Sequence, residues 1–139
     1  MSAEGPVFPV AFDELAVAED IARLGKRGVE ALEALGRELD RLGGLPRERL
    51  LACEAEGRDG TRLGGCVKTY VPWPAGRFGA VMVAVSHPER PVGLGVIAFG
   101  IRHQPPDAHA LTVYQIAHRR LNGYAAVLRA QDARARHTT

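Results

Sequence analysis

The chain has 139 residues, 46% hydrophobic and 24% charged, which supplies the core of one globular domain, and no second domain is expected. Its two cysteines, Cys53 and Cys66, match no metal-ligand spacing and cannot make a disulfide framework, so a disulfide-stapled or zinc-built module is excluded and a reducing cytoplasm is expected. The opening Met-Ser-Ala-Glu-Gly-Pro is not a basic region followed by an apolar one, and no run reaches the ~20 apolar residues of a membrane helix, so no membrane association is expected.

Net charge is +2, but its division is more informative. Residues 1–60 carry eight Lys/Arg against thirteen Asp/Glu, a balance of −5, whereas residues 61–139 carry ten against three, a balance of +7. A basic half of this kind suits a polyanion, because clustered cations gain counterion-release free energy on a phosphate backbone. The same charges also suit a solvated face that aids solubility.

In chain order, residues 1–6 read as a loose tail. Val7-Phe-Pro-Val-Ala-Phe12 reads as a first strand, which Pro9 confines to a sheet edge or to a few residues because proline cannot donate to a ladder. Asp13 stands where an N-cap belongs. Leu15, Ala18, Ile21, Ala22 and Leu24 then mark the apolar face of a first helix, with Glu14, Glu19 and Asp20 early and Arg23, Lys26 and Arg27 late, as the helix dipole favours. Gly25 or Gly28 ends it. Val29, Leu32, Leu35, Leu39 and Leu42 line a second helix closed by Gly43-Gly44, and the two form an antiparallel hairpin. Pro46 to Ala52 suits a helical turn or two with Pro46 first. Residues 54–65 are polar and glycine-rich and read as a loop. As a phosphate cradle this loop is incomplete, since no strand precedes it and no Lys-Ser/Thr pair follows.

Cys66 to Val71 and Phe78 to Val85 read as a hairpin turned by Pro72-Trp-Pro-Ala-Gly76, and Ser86 to Pro91 turns the chain into Val92 to Phe99. That last run is apolar on both alternating sets, as suits an interior strand covered on both faces. It ends at Gly100-Ile-Arg102-His103. After a Pro-rich loop, Tyr114, Ala117, Leu121, Tyr124 and Leu128 recur at steps of three and four, which predicts a final helix over about 110–130. Residues 131–139 read as a second loose tail. The expected architecture is α+β, in a single domain of residues 1–139: a small antiparallel β-sheet, made of an N-terminal edge strand and a three-strand meander, covered by an N-terminal helical hairpin, with a C-terminal helix. Strand end and helix start then bring Arg102, His103 and Tyr114 into one neighbourhood.

These elements also carry a pattern. Ala98-Phe-Gly100-Ile-Arg102-His103 is a strand ending in Gly-x-Arg; Val113-Tyr114 follows a spacer; Ala117-His118-Arg119-Arg120-Leu121 is a helix containing Arg-Arg-Leu. Upstream, Leu63-Gly-Gly-Cys66-Val-Lys68 leads into a strand carrying a basic residue. Over roughly residues 7–122, order, spacing and charge together make the chain resemble the RelE/ParE superfamily of type II toxin–antitoxin toxins.

The resemblance implies a RelE-like fold. In the mRNA-cleaving branch it implies a ribosome-dependent endoribonuclease that uses no metal or other cofactor and cuts messenger RNA by 2′-hydroxyl attack on the scissile phosphate. Cations preplaced around the developing charge are enough for such chemistry, since each well-aimed donor is worth about 2.7–4 kcal/mol. Arg102 matches the family's arginine after the strand-end glycine and would bind that phosphate. Tyr114 matches the tyrosine opening the last helix and would stack on a base or assist proton transfer. Lys68 lies on the strand that bears the family's basic residues, although Thr69, Tyr70 and Val71 follow it here in place of further cations. Arg77 stands one or two positions from the family's hairpin arginine. The partners implied are a cognate antitoxin, messenger RNA and the ribosome, in the cytoplasm. A gyrase-inhibiting toxin of the ParE type and a non-catalytic protein- or nucleic-acid-binding module are the alternatives.

The remaining candidates come from the residues themselves. His103 and His118 carry imidazoles, side chains suited to act as acid or base; His118 is more simply an ordinary surface histidine. Arg62, Arg119 and Arg120 are candidate RNA contacts, the last two also explicable as dipole-favoured charges late in a helix. Trp73, between two prolines, could stack on a nucleobase or cap the core. Tyr114 could equally be core with its hydroxyl at the rim.

Overall fold

The structure, a computed structural model, describes residues 6–57, 60–87, 90–103 and 111–122. The N-terminal apolar run divides at Pro9 into β1 (Val7–Phe8) and β2 (Val10–Phe12). A proline lacks the N–H that would let one ladder continue, and here the two halves join different sheets. β1 pairs with β3 (Leu45–Pro46) in a two-stranded antiparallel sheet, while β2 becomes an edge of the main five-stranded sheet.

Asp13 caps the next helix as expected, its carboxylate accepting from the N–H groups of Leu15 (3.0 Å) and Ala16 (3.1 Å). The helical stretch α1 (Glu14–Leu42) is broken at Gly25, whose φ of 69° and ψ of −171° are open to glycine and barred to side-chain-bearing residues. Its first segment starts at β7 (Arg90–Ile101), where the Asp13 N–H meets the Val96 carbonyl, and reaches Gly100, where a side chain would touch Leu24. The second segment returns to Gly44, packed so tightly on the Phe8 carbonyl that a Cβ would lie 2.4 Å from it. Gly43 closes the helix in the left-handed region and donates to Leu39.

Which face the first segment buries differs from expectation. Leu15 (82% exposed) and Ile21 (41%) lie outward with Ala18 and Ala22, while Asp20 is fully buried. The cause is the end of β2. Beyond Phe12 the neighbouring edge of β7 has no strand partner, and the Phe99 N–H there donates to Asp20 Oδ2 at 2.9 Å. Arg120 donates to the Ile97 carbonyl at 2.8 Å and clasps both oxygens of Asp20 at 2.8 and 2.9 Å, and Arg23 adds a contact at 2.7 Å. Unmet backbone groups in this interior would each cost about 1–3 kcal/mol, comparable with the burial of one aliphatic side chain, and the charged hydrogen bonds of Asp20 add to that.

A single 3-10 turn (Arg47–Arg49) with Pro46 before it, then β4 (Leu51–Ala52), replaces the longer helical turn expected over 46–52. β5 (Val67–Tyr70), β6 (Phe78–His87) and β7 form the antiparallel meander. The strand order is β2-β7-β6-β5-β4. The sheet is mixed, however, not wholly antiparallel: β2 runs parallel to β7, with Val10 opposite Leu94 and Phe12 opposite Val96. The intervening helices and meander are the long crossover that parallel pairing requires.

β7 is interior and covered on both faces, as its composition predicts. Ala31, Leu35 and Leu45 pack on one face with Met82, Leu94, Val96 and Phe99. On the other face, Val113, Ile116 and Ala117 of the last helix, α2 (helical over described residues 113–122), pack on Val81 and Ala98. A bulge serves both layers: Val81 faces Ala98 and Met82 faces Val96, leaving Ile97 unpaired, so Ile97 and Ala98 both turn toward α2. Tyr124, Leu128, the rest of the expected helix and both expected tails, except Pro6, lie outside the described residues. The molecule is thus α+β with helices on both sheet faces. Among the described residues no helix is long and apolar enough to cross a membrane.

Without the Asp20 charge, Arg120 keeps only the exposed Glu19 carboxylate and the Ile97 carbonyl, and hydrogen bonds to a charged group are worth about 1.5–3 kcal/mol. Asp20→Asn is therefore expected to lower unfolding free energy by roughly that amount in a urea titration. A loss under about 1 kcal/mol would show that the carboxylate does not hold the edge of β7.

Candidate functional site

On the α2 side of the sheet lies a pocket of about 590 Å³. Alternation along β5 puts Lys68 and Tyr70 on the same face, the one opposite Val67, Thr69 and Val71. Arg102 and His103 arrive from the end of β7, and Thr112 and Tyr114 from the start of α2. Cys53, Glu54, Thr61 and Leu63 close the remaining wall. Four residues proposed from the sequence, Arg102, Tyr114, Lys68 and His103, thus line one cavity.

The two cations are held by aromatic faces. Arg102 Cζ lies 3.4 Å from the centroid of the Tyr70 ring, and Lys68 Nζ lies 5.0 Å from that of Tyr114 and 5.8 Å from that of Tyr70. Such contacts are each worth about 0.5–2 kcal/mol and leave the positive charge in place. Among the described residues neither cation has a carboxylate within 4.0 Å, although Glu54 stands on the same wall. Arg102 is aimed further by its Nη1, which donates to the Gly76 carbonyl at 2.8 Å, and by its N–H, which donates to the Arg77 carbonyl at 2.8 Å.

The start of α2 adds to this field. Thr112 Oγ1 accepts from the Gln115 N–H at 3.3 Å while Gln115 Oε1 accepts from the Thr112 N–H at 3.0 Å, a reciprocal cap. The positive end of the helix dipole therefore borders the pocket. Behind β5, Arg49 pairs with Glu38 and donates to Thr69 Oγ1 (3.1 Å) and the Tyr70 carbonyl (2.6 Å), tying the strand that carries Lys68 to α1.

The cysteines take no part as nucleophiles. Cys53 and Cys66 lie opposite each other where the β4–β5 ladder ends, with the Cys53 N–H on the Cys66 carbonyl at 3.0 Å. Burial, aided by Cys66, pushes the Cys53 thiol up to about 11, against a smaller pull from Lys68, and burial also pushes Cys66 up. At pH 8 a thiol of that acidity is ionised in only about one molecule in a thousand.

The other candidates lie elsewhere. The side chain of Arg77 is exposed outside the cavity, and only its carbonyl meets Arg102. Trp73 is 91% exposed at the tip of the β5–β6 hairpin and belongs to neither apolar cluster, which overturns its reading as a core cap. His118 Nδ1 accepts from the Arg62 N–H at 2.8 Å, so these two join the 54–65 loop to α2 rather than lining the cavity. Arg119 is exposed. The guanidinium of Arg120 is engaged by Asp20, Glu19 (2.9 Å) and Ile97, with the Asp20 hydrogen bond first among the causes that raise its pKa. It is a structural clasp turned away from the pocket.

Tyr70, Asp20 and the Thr112–Gln115 cap escaped the sequence reading. Two of these had signals: Tyr70 is two residues from Lys68 on a strand, and Thr-x-x-Gln before an apolar helix is a capping box. Comparison with protein-family models, curated proteins and solved structures returns no match to this chain.

Iodoacetamide is expected to alkylate Cys53 at pH 8 at least about a hundredfold more slowly in the folded protein than in urea, with the folded rate still rising about tenfold per pH unit toward pH 10. Equal rates in the two states would mean that the thiol is not held protonated.

Proposed function

We propose that the protein binds single-stranded RNA in this pocket and is a toxin of the RelE/ParE type, cleaving messenger RNA on the ribosome. The observation that carries the reading is the unneutralised pair of cations, Lys68 and Arg102, seated on tyrosine rings in one cavity with Tyr114. A structural lysine or arginine in a folded domain normally faces a carboxylate or open water. Here the positive charge is fixed by π faces at the positive end of a helix, an arrangement that supports an anion entering from outside.

In this reading the 2′-hydroxyl attacks the adjacent phosphorus, forming a cyclic phosphate as the bond to the 5′-oxygen of the next nucleotide breaks. Arg102 and Lys68 would stabilise the extra negative charge on the phosphoryl oxygens. His103, exposed on the rim, would supply or take the proton, and Tyr114 would stack on a base or assist that transfer. A cognate antitoxin would neutralise the same groove, and the setting is the cytoplasm.

Induced expression of the wild type is expected to arrest growth and yield new transcript 5′ ends, and Arg102→Ala is expected to reduce cleavage by about 10²–10³-fold. Cleavage unchanged in the variant would remove Arg102 from the chemistry. DNA breakage with intact transcripts would instead assign the protein to gyrase inhibition. In binding assays with a short single-stranded oligoribonucleotide, Lys68→Ala and Arg102→Ala are each expected to flatten the slope of log K against log salt by about 0.7. An unchanged slope would show that these side chains do not meet phosphate.

A further inference from the structure

Trp73 is the only tryptophan in the chain. A single exposed apolar side chain needs no explanation in itself, and its setting is what matters. Pro72 and Pro74 flank it, both exposed, and the turn beneath is closed by the Ala75 N–H on the Pro72 carbonyl and the Phe78 N–H on the Ala75 carbonyl, each at 3.0 Å. The tip is also fastened to the pocket, since Arg102 Nη1 holds the Gly76 carbonyl at 2.8 Å. Three chain steps of at most about 3.8 Å separate Trp73 from Gly76, so its Cα lies within about 11 Å of the residue that Arg102 grips. Arg77 stands exposed at the base of the same turn.

We propose that Trp73 is a stacking platform for a base of single-stranded RNA, one nucleotide or a few along the strand from the phosphate held by Lys68 and Arg102. The inference rests on the RNA reading above and extends it from a single phosphate to a path over the hairpin tip. RNA is favoured over an acidic protein because its polymer places a flat π-face at each repeat beside each phosphate, matching an indole on a hairpin tip that carries Arg77 and is held by Arg102 of the pocket. Stacking requires no particular base, so the tip would add affinity without sequence preference.

Because Trp73 is the only indole, emission excited beyond the absorption of the three tyrosines reports on it alone. The full-length protein is titrated with a short oligoadenylate bearing 2′-O-methyl groups, which cannot be cleaved, while the anisotropy of a fluorescein-labelled copy measures binding independently. Indole emission is expected to change with the same midpoint as the anisotropy. Trp73→Ala is expected to weaken binding between about fivefold and a hundredfold, Trp73→Phe to retain most of the affinity, and neither to shift the urea midpoint. Binding seen by anisotropy, with indole emission unmoved and Trp73→Ala at wild-type affinity, overturns the platform and leaves the RNA reading standing. Absence of binding at low salt overturns both. A response of Trp73 to a polyglutamate peptide as strong as its response to RNA assigns the tip to an acidic protein partner and overturns the platform.

Discussion

The fold turns on one buried carboxylate. β2 ends at Phe12, but β7 continues to Ile101, so part of the central strand has backbone groups with no strand beside them. Asp20 and Arg120 take the place of the missing strand, one accepting from the Phe99 N–H and the other donating to the Ile97 carbonyl, and they neutralise each other in doing so. Three elements meet there: the first segment of α1, the central strand and α2. The rotation of α1, the seat of α2 and hence the position of Tyr114 follow from a single charge pair spanning 100 residues of sequence.

A second choice shapes the candidate site. Arg120 is neutralised by acids, whereas Arg102 and Lys68 rest on tyrosines. A carboxylate would fix a cation's position and cancel its charge together; an aromatic face fixes the position and leaves the charge to act outward. The chain thus holds arginines of two kinds, one paired with carboxylates and one seated on a tyrosine ring and a backbone carbonyl. Beside them, burial opposes the Cys53 thiolate more strongly than Lys68 favours it, and burial also pushes the Cys66 thiol up.

Much of this could be read in advance where local chemistry decides. Asp13 as a cap, a helix break at one of two nearby glycines, the β5–β6 hairpin and the doubly covered strand are each set by residues within a turn or two of one another. The neighbourhood of Arg102 and Tyr114 was legible as well, because a short loop between a strand end and a helix start leaves few arrangements. The inward face of the first helical segment was not. Leu15, Ala18, Ile21 and Ala22 make the better apolar stripe by composition, and only the unpaired edge of β7, formed by residues some 80 positions later, outweighs them. Arg119 and Arg120 are likewise indistinguishable in sequence; one is exposed and the other clasps Asp20.

Although the short strands at 45–46 and 51–52 are not legible in it, the amino-acid sequence determined by itself the principal elements, their order, the α+β class and the basic character of the second half. All of these depend on periodicity, turn chemistry and charge count, which are local or additive. Tertiary structure alone decided the parallel pairing of β2, the side of α1 that is buried, and which cations are neutralised. Each of these depends on a partner far away in the chain, and the free energy that selects it, an unmet hydrogen bond or an uncompensated buried charge, exists only once the chain has closed around it.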